Sequence, residues 1–598
     1  MTSIDDRSAP AVYRLSRETW AELASGGGTR ETISFLAGTQ VSRRLWLLKV
    51  LVESSPPDLR PLPPVDVAWD VMDRAQALDP QKFEAVLTHP QIGNWAAYAL
   101  GGHLDGGLAE PPWATFGYLH AVALVAAART GQTWQTRVPL LDGRVTLPGL
   151  GQARFDAADR WDCATAATAD GTIWLRYGPA SVTVPDDPER DADGWWGLRS
   201  LTVGTDPQLR VVLDDIDPFR NLGDRVDPER LTTDEVAHWG RMLDRAWKLL
   251  TDDDRDAASA LARAVSSLAP LARADQSDGY EIRSASTAEA FGAIVLSTPH
   301  DPVDLAATLV HEFRHMKLGC LMHLRHLHEG AGRPRLYAPW RDDPRPLGGL
   351  LQGIYAFHGI AAFYRARAGA TTGAERRIAL YNYALTRRQT AEGMAEARAS
   401  GDLTDLGIEF LSGLAAAMEP WFCDDIPADL DRLVGLAAGA HRLTWLLRYR
   451  RPAQEAVAAL VDAWSAGNPI DETATSVASV VPPAEVPHPS PTWSRPIHRA
   501  VNRKPSDATP QAALIRGDAV AAKAGFSSQL LSDPDNIVAW TGLALACAES
   551  GPTEAAHPLS ARPDLLAAAF RQLVADGTAP HPEDLAAWAG GLTLNGRQ

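Results

Sequence analysis

The chain has 598 residues, 45% hydrophobic and 22% charged, and 57 Lys and Arg against 74 Asp and Glu leave a net charge of −17. At roughly 100–200 residues per domain, that length allows about three to five folding units and a sizeable core. The acidic balance excludes nucleic-acid binding through a broad basic surface, which phosphate recognition requires.

The N-terminus, MTSIDDRSAPAVYRL, lacks the basic and then apolar segments of a signal peptide. No apolar run reaches the ~18 residues that cross a bilayer, and the best candidate, Leu119 to Ala128, contains His120. A cytoplasmic protein with no membrane partner is expected. Cys163, Cys320, Cys423 and Cys547 are far apart and show no C-x-x-C spacing, which argues against a zinc ribbon, an iron–sulfur cluster or a dense disulfide frame.

In chain order, residues 1–135 predict helices, with Ala, Leu and Trp recurring at helical spacing. From 136 to 229 the segments turn rich in Val, Thr and Trp and are broken by Gly and Pro, which predicts short antiparallel strands. Within them, LDDIDPFR places Asp214, Asp215 and Asp217 just after a strand, where a turn capped by its own side chains competes with a functional carboxylate. Helical character returns over 230–464. A Pro-rich stretch over 465–511 predicts a linker, and 512–598 is helical again. Its DPDNIVAWTGLALACAESG resembles one tetratricopeptide-like hairpin, without a second copy to make an array.

The strongest chemical signal lies at 290–328. AFGAIVLS is a β-branched run expected to form a strand, and Asp301 with Pro302 announces a helix running to about 325. Inside it, His311-Glu312-Phe313-Arg314-His315 is an H-E-x-x-H, whose spacing projects both imidazoles from one face a turn apart, able to grip one metal ion. Glu312 stands about 100° round the helix, positioned to touch a metal-bound water rather than to coordinate. In zincin-like sites the preceding strand is an edge that pairs with extended peptide, so a peptide backbone is expected along Ala293 to Leu296.

The third ligand is open among several residues. PWRDDPRP announces a second helix, on which Gln352, Tyr355, Ala356, Gly359 and Phe363 share a face. The pattern L-Q-G-I-Y-A-F-H-G resembles the second metal-binding helix of thermolysin-like zincins, where a Glu stands at the position of Gln352. His358, on another face, and Glu392 and Glu396 further on are the alternatives. Between the two helices lie Arg333, Arg335, Arg341 and Arg345, a residue type suited to bidentate carboxylate capture. Arg341 and Arg345, framed by Trp340, Pro344 and Pro346, are the better candidates.

LVHEFRHMKL, YAPWRDDPRPLGGLLQGIYAF, LDDIDPFR and SASTAEAFGAIVLS together resemble the HExxH-type 2-oxoglutarate-dependent peptide β-hydroxylases, a family that accompanies radical-SAM maturases of ribosomally made peptides. The similarity runs from about HPQIGNWAAYAL to the tail. It implies iron(II) on His311 and His315, with Gln352, at a position where the family has His or Gln, either a tolerated third ligand or no ligand. It also implies 2-oxoglutarate and O₂ as co-substrates, and hydroxylation of a side-chain β carbon in a ribosomal precursor peptide, which a radical-SAM enzyme can already have modified. The chain itself lacks a C-x-x-x-C-x-x-C cluster. Two readings compete: a zinc metallopeptidase using Glu312 as general base, and a non-catalytic peptide-binding scaffold. The expected fold is α+β and mainly helical, with a zincin-like core of strand, HExxH helix and second helix between helical terminal regions.

Overall fold

The computed structural model describes residues 13–594, except 105–106, 108–109, 158, 224, 272–281, 331, 469–477, 482–491, 505–507 and 552–554. The fold is mixed α+β with helix predominating, and the chain divides into two compact units, 1–325 and 326–598. The boundary falls inside the 230–464 span, directly after the HExxH helix. Among the described residues no helix is long and apolar enough to cross a membrane. All four cysteines are free thiols.

In the first unit, helix Pro112–Arg129 is buried from Ala114 to Ala128 because Ala, Leu and Val cover all its sides. It packs with neighbouring helices over an antiparallel seven-stranded sheet. The spatial order is Ala180–Thr183, Thr172–Tyr177, Trp161–Ala169, Trp134–Leu141, Arg144–Leu147, Gly151–Arg154 and Trp195–Gly197. Phe116, Leu119 and Val122 meet Val138, Leu140, Ala164 and Leu175 in one core. Asp142-Gly143 and Asp170-Gly171 close two of the hairpins, with φ of 45°, 74°, 50° and 81°, the left-handed pair that a two-residue turn demands.

His120 is fully buried on that central helix, its Nδ1 3.1 Å from Thr136 Oγ1 and its Nε2 3.0 Å from Pro63 O. Burial pushes its pKa down to about 4. Between the unfolded value near 6.5 and about 4, the unfolded chain therefore takes up a proton that the folded chain refuses, so stability falls as pH falls through that window, by about 3 kcal/mol at its lower end. In His120→Gln, the slope of unfolding free energy against pH over this range is expected to drop by about one proton; an unchanged slope would contradict the assignment.

A second, mixed sheet of the first unit carries the strand that precedes the HExxH helix. Its order is Ser284–Ala285, Ala293–Leu296, Ser267–Pro270, Leu209–Leu213 and Arg199–Val203. Ala293–Leu296 pairs parallel with Ser267–Pro270 on one side and antiparallel with Ser284–Ala285 on the other. The expected peptide-docking edge along Ala293 to Leu296 is therefore corrected for its second half: on the side away from Ser267–Pro270, Val295 and Leu296 pair with Ala285 and Ser284. All four of its residues are buried, as a strand covered on both faces requires.

The second unit is mainly helical, with a two-stranded sheet of Arg450–Pro452 and Ala478–Val480. Leu347–Ala370 and Gly373–Ala399 pack side by side. Leu430, Leu433 and Leu443 of helix Ala428–Tyr449 share a core with Phe526, Trp540, Leu543 and Phe570 from the tail. Part of the expected linker is ordered, since helices Ser494–Val501 and Pro510–Ile515 lie within it. Pro482, Pro483, Pro487, Pro489 and Pro491 lie outside the described residues.

Candidate metal centre

Helix Pro302–Leu324 forms where the sequence announces it. Asp301 caps it by accepting from the amides of Val303 and Asp304, at 2.7 and 3.1 Å, and Pro302 occupies the first turn. Lys317, buried on this helix, donates to Gly26 O at 3.3 Å and Gly27 O at 2.6 Å, and Arg314 also donates to Gly26 O. Burial, and then Arg314, hold the Lys317 ammonium well below its usual pKa. These bonds tie the N-terminal SGGG loop to the HExxH helix.

His311 and His315 come together as the spacing predicts. Their Nε2 atoms lie 3.0 Å apart, with the rings nearly perpendicular at 83°. This is a hydrogen-bond distance between the rings, and it is also short enough for both atoms to reach one ion about 2.1 Å from each. Burial, with His315 the smaller cause, pushes His311 down to about 3. Its imidazole is therefore neutral near pH 7, the form that ligates metals.

Glu312 is buried and engaged elsewhere. Ser284 Oγ donates to its Oε1 at 2.7 Å and Ser286 Oγ to its Oε2 at 2.6 Å, so both carboxylate oxygens are held by the segment around the edge strand. The serines of SASTAEAF thus have a definite task that spacing alone did not disclose.

The other sequence-selected residues belong to the second unit. Gln352 is half-buried on helix Leu347–Ala370, whose Tyr355, Ala356 and Phe363 are buried. His358 is buried against Trp421, ring centroids 4.8 Å apart. Glu392 accepts from Arg388 Nε at 2.8 Å, and Glu396 accepts from the Tyr337 amide at 3.3 Å.

Arg341 and Arg345 converge on one carboxylate. Arg341 Nε lies 2.9 Å from Asp343 Oδ1, and Arg345 Nη1 lies 3.4 Å from Asp343 Oδ2. Trp340 pins this loop by stacking on Phe357, ring centroids 4.6 Å apart. It fits because Gly353 and Gly393 are Gly: a Cβ there would stand 2.3 and 2.9 Å from the indole. Arg335 pairs instead with Asp402.

Of the aspartates in LDDIDPFR, Asp215 is neutralised by Arg199 and Arg230, the latter at 3.0 Å, and accepts from the Leu231 amide at 2.8 Å. The turn reading is correct for part of the segment: the Asp217 amide donates to Asp214 Oδ1 and the Phe219 amide to Asp217 Oδ1. Burial and then Asp217 push Asp214 up to about 6.

No protein-family model matches the chain, and no curated protein matches it.

Proposed function

We propose that the chain is an iron(II)- and 2-oxoglutarate-dependent dioxygenase that hydroxylates a side-chain β carbon of a ribosomally made precursor peptide. The net reaction is balanced: peptide C–H, O₂ and 2-oxoglutarate give peptide C–OH, succinate and CO₂. The observation that carries this reading is the pairing of His311 with His315 beside a Glu312 whose two oxygens are both occupied by serine hydroxyls. A zincin-like peptidase uses that carboxylate to take a proton from water, whereas an oxygenase has no need of it, so a Glu312 tied to two serines suits the oxygenase better. The motif resemblance adds the co-substrate and the peptide.

The imidazoles of His311 and His315, a helical turn apart, suit a divalent transition ion. When bound, iron(II) supplies the means of activating O₂. His311 and His315 would hold it, and Glu312 would orient the helix face through Ser284 and Ser286. By the motif resemblance, Arg341 and Arg345 are the candidates to hold the distal carboxylate of 2-oxoglutarate, and both face Asp343.

The test is to incubate full-length protein with iron(II), ascorbate, 2-oxoglutarate and the precursor peptide. Succinate and a peptide heavier by one oxygen atom are expected. Zinc-stimulated cleavage with no need for the oxo acid would overturn this reading in favour of the metallopeptidase. Arg345→Ala is expected to raise the apparent KM for 2-oxoglutarate by about tenfold while kcat changes little; an unchanged KM would place the carboxylate clamp elsewhere.

A further inference from the structure

We infer a second metal site in the first unit, formed by His89, Asp214 and Asp217 and taking a divalent first-row cation such as zinc or manganese. This inference does not depend on the proposed function. One potential ligand atom from each residue lies within 4.8 Å of the others, and all three are buried from water. The residues come from two distant segments. His89 sits between helices Pro80–Leu87 and Pro90–Leu104, and Asp214 and Asp217 follow strand Leu209–Leu213.

The observation that points to a ligand is the histidine. Its side chain is 8% exposed, and its buried Nε2 makes no hydrogen bond, facing Asp217 Oδ2 across 3.8 Å. That gap is too long for a hydrogen bond and suits two ligands of a shared ion. A buried ring nitrogen left without a partner is costly. The position of His89 is nonetheless fixed, because Arg44 donates to its carbonyl at 3.0 Å.

The aspartates make the same case by contrast with Asp215, which has two arginines. Asp214 accepts from the Asp217 amide and from Gln91 Nε2, both at 3.0 Å, and Asp217 accepts from the Phe219 amide at 2.8 Å and the Tyr118 hydroxyl at 3.4 Å. All of these donors are neutral. Arg220, the nearby cation, spends its hydrogen bonds on the carbonyls of Asp217 and Asp227. Apart from His89 itself, the two buried carboxylates have only this one offset positive charge, and a dication would supply what is missing. Imidazole in the set favours zinc, iron, cobalt or manganese over calcium or magnesium. The site would tie the helical layer to the sheet.

The experiment titrates cobalt(II) into metal-free full-length protein, wild type and a His311→Ala/His315→Ala double variant, reading visible absorption and bound metal. The double variant is expected to retain one equivalent and to lose it on adding Asp217→Asn or, separately, His89→Ala, with far-UV circular dichroism unchanged. In chelator, Asp217→Asn is expected to melt no lower than its parent, whereas a mere His89–Asp217 ion pair would lower it. A double variant that binds no cobalt, or that keeps its equivalent after both substitutions, overturns the site. A wild type binding one equivalent, lost only with Asp217→Asn or His89→Ala, supports this site and contradicts the HExxH centre instead.

Discussion

His311→Ala and His315→Ala are each expected to abolish iron binding at the HExxH helix and to lower hydroxylation by at least about 10³-fold. The cause is geometric. With Nε2 atoms 3.0 Å apart, the two rings would act as one chelate on the proposed ion, and removing either leaves a single imidazole that holds a cation weakly. Both rings are only partly buried, so the melting temperature of the metal-free protein should move little. Iron retained in both variants, measured per chain, would end the assignment.

Glu312 gives the second large effect, and its two substitutions should diverge. Glu312→Ala leaves the hydroxyls of Ser284 and Ser286 without their buried acceptor and is expected to destabilise the first unit by about 2–4 kcal/mol in chemical unfolding. Glu312→Gln keeps the shape and an acceptor, so it should retain metal and lose less than about tenfold in turnover. Loss of a general base costs about 10²–10⁴-fold, the outcome a metallopeptidase would give. Equal stability of the Ala variant and wild type would show that the two serines do not depend on this carboxylate.

Local features of this chain were legible in its sequence. Asp301-Pro302 start the HExxH helix, and the Ala293–Leu296 strand and the helix from Leu347 stand where their composition places them. The pairing of His311 with His315 follows from a single helical turn. What was not legible depends on contacts between distant segments. Ser267–Pro270 is four buried residues ending in Pro, without the alternation that marks a half-exposed strand, and Ser284–Ala285 is only two residues. Neither announces that Val295 and Leu296 between them are paired on both sides. Likewise nothing in THPQIG indicates that His89 meets aspartates 125 and 128 residues further on; only the fold brings them within 4.8 Å. Asp343 between Arg341 and Arg345 was visible as a letter in RDDPR, but not as their shared partner.

The central claim is that His311 and His315 jointly hold one divalent ion. Anomalous diffraction at the iron edge, from crystals of the full chain grown with iron(II) without oxygen, tests it most directly. A peak about 2.1 Å from both Nε2 atoms is the predicted result. Density maps with no peak between those rings, whatever is found elsewhere in the molecule, would contradict it.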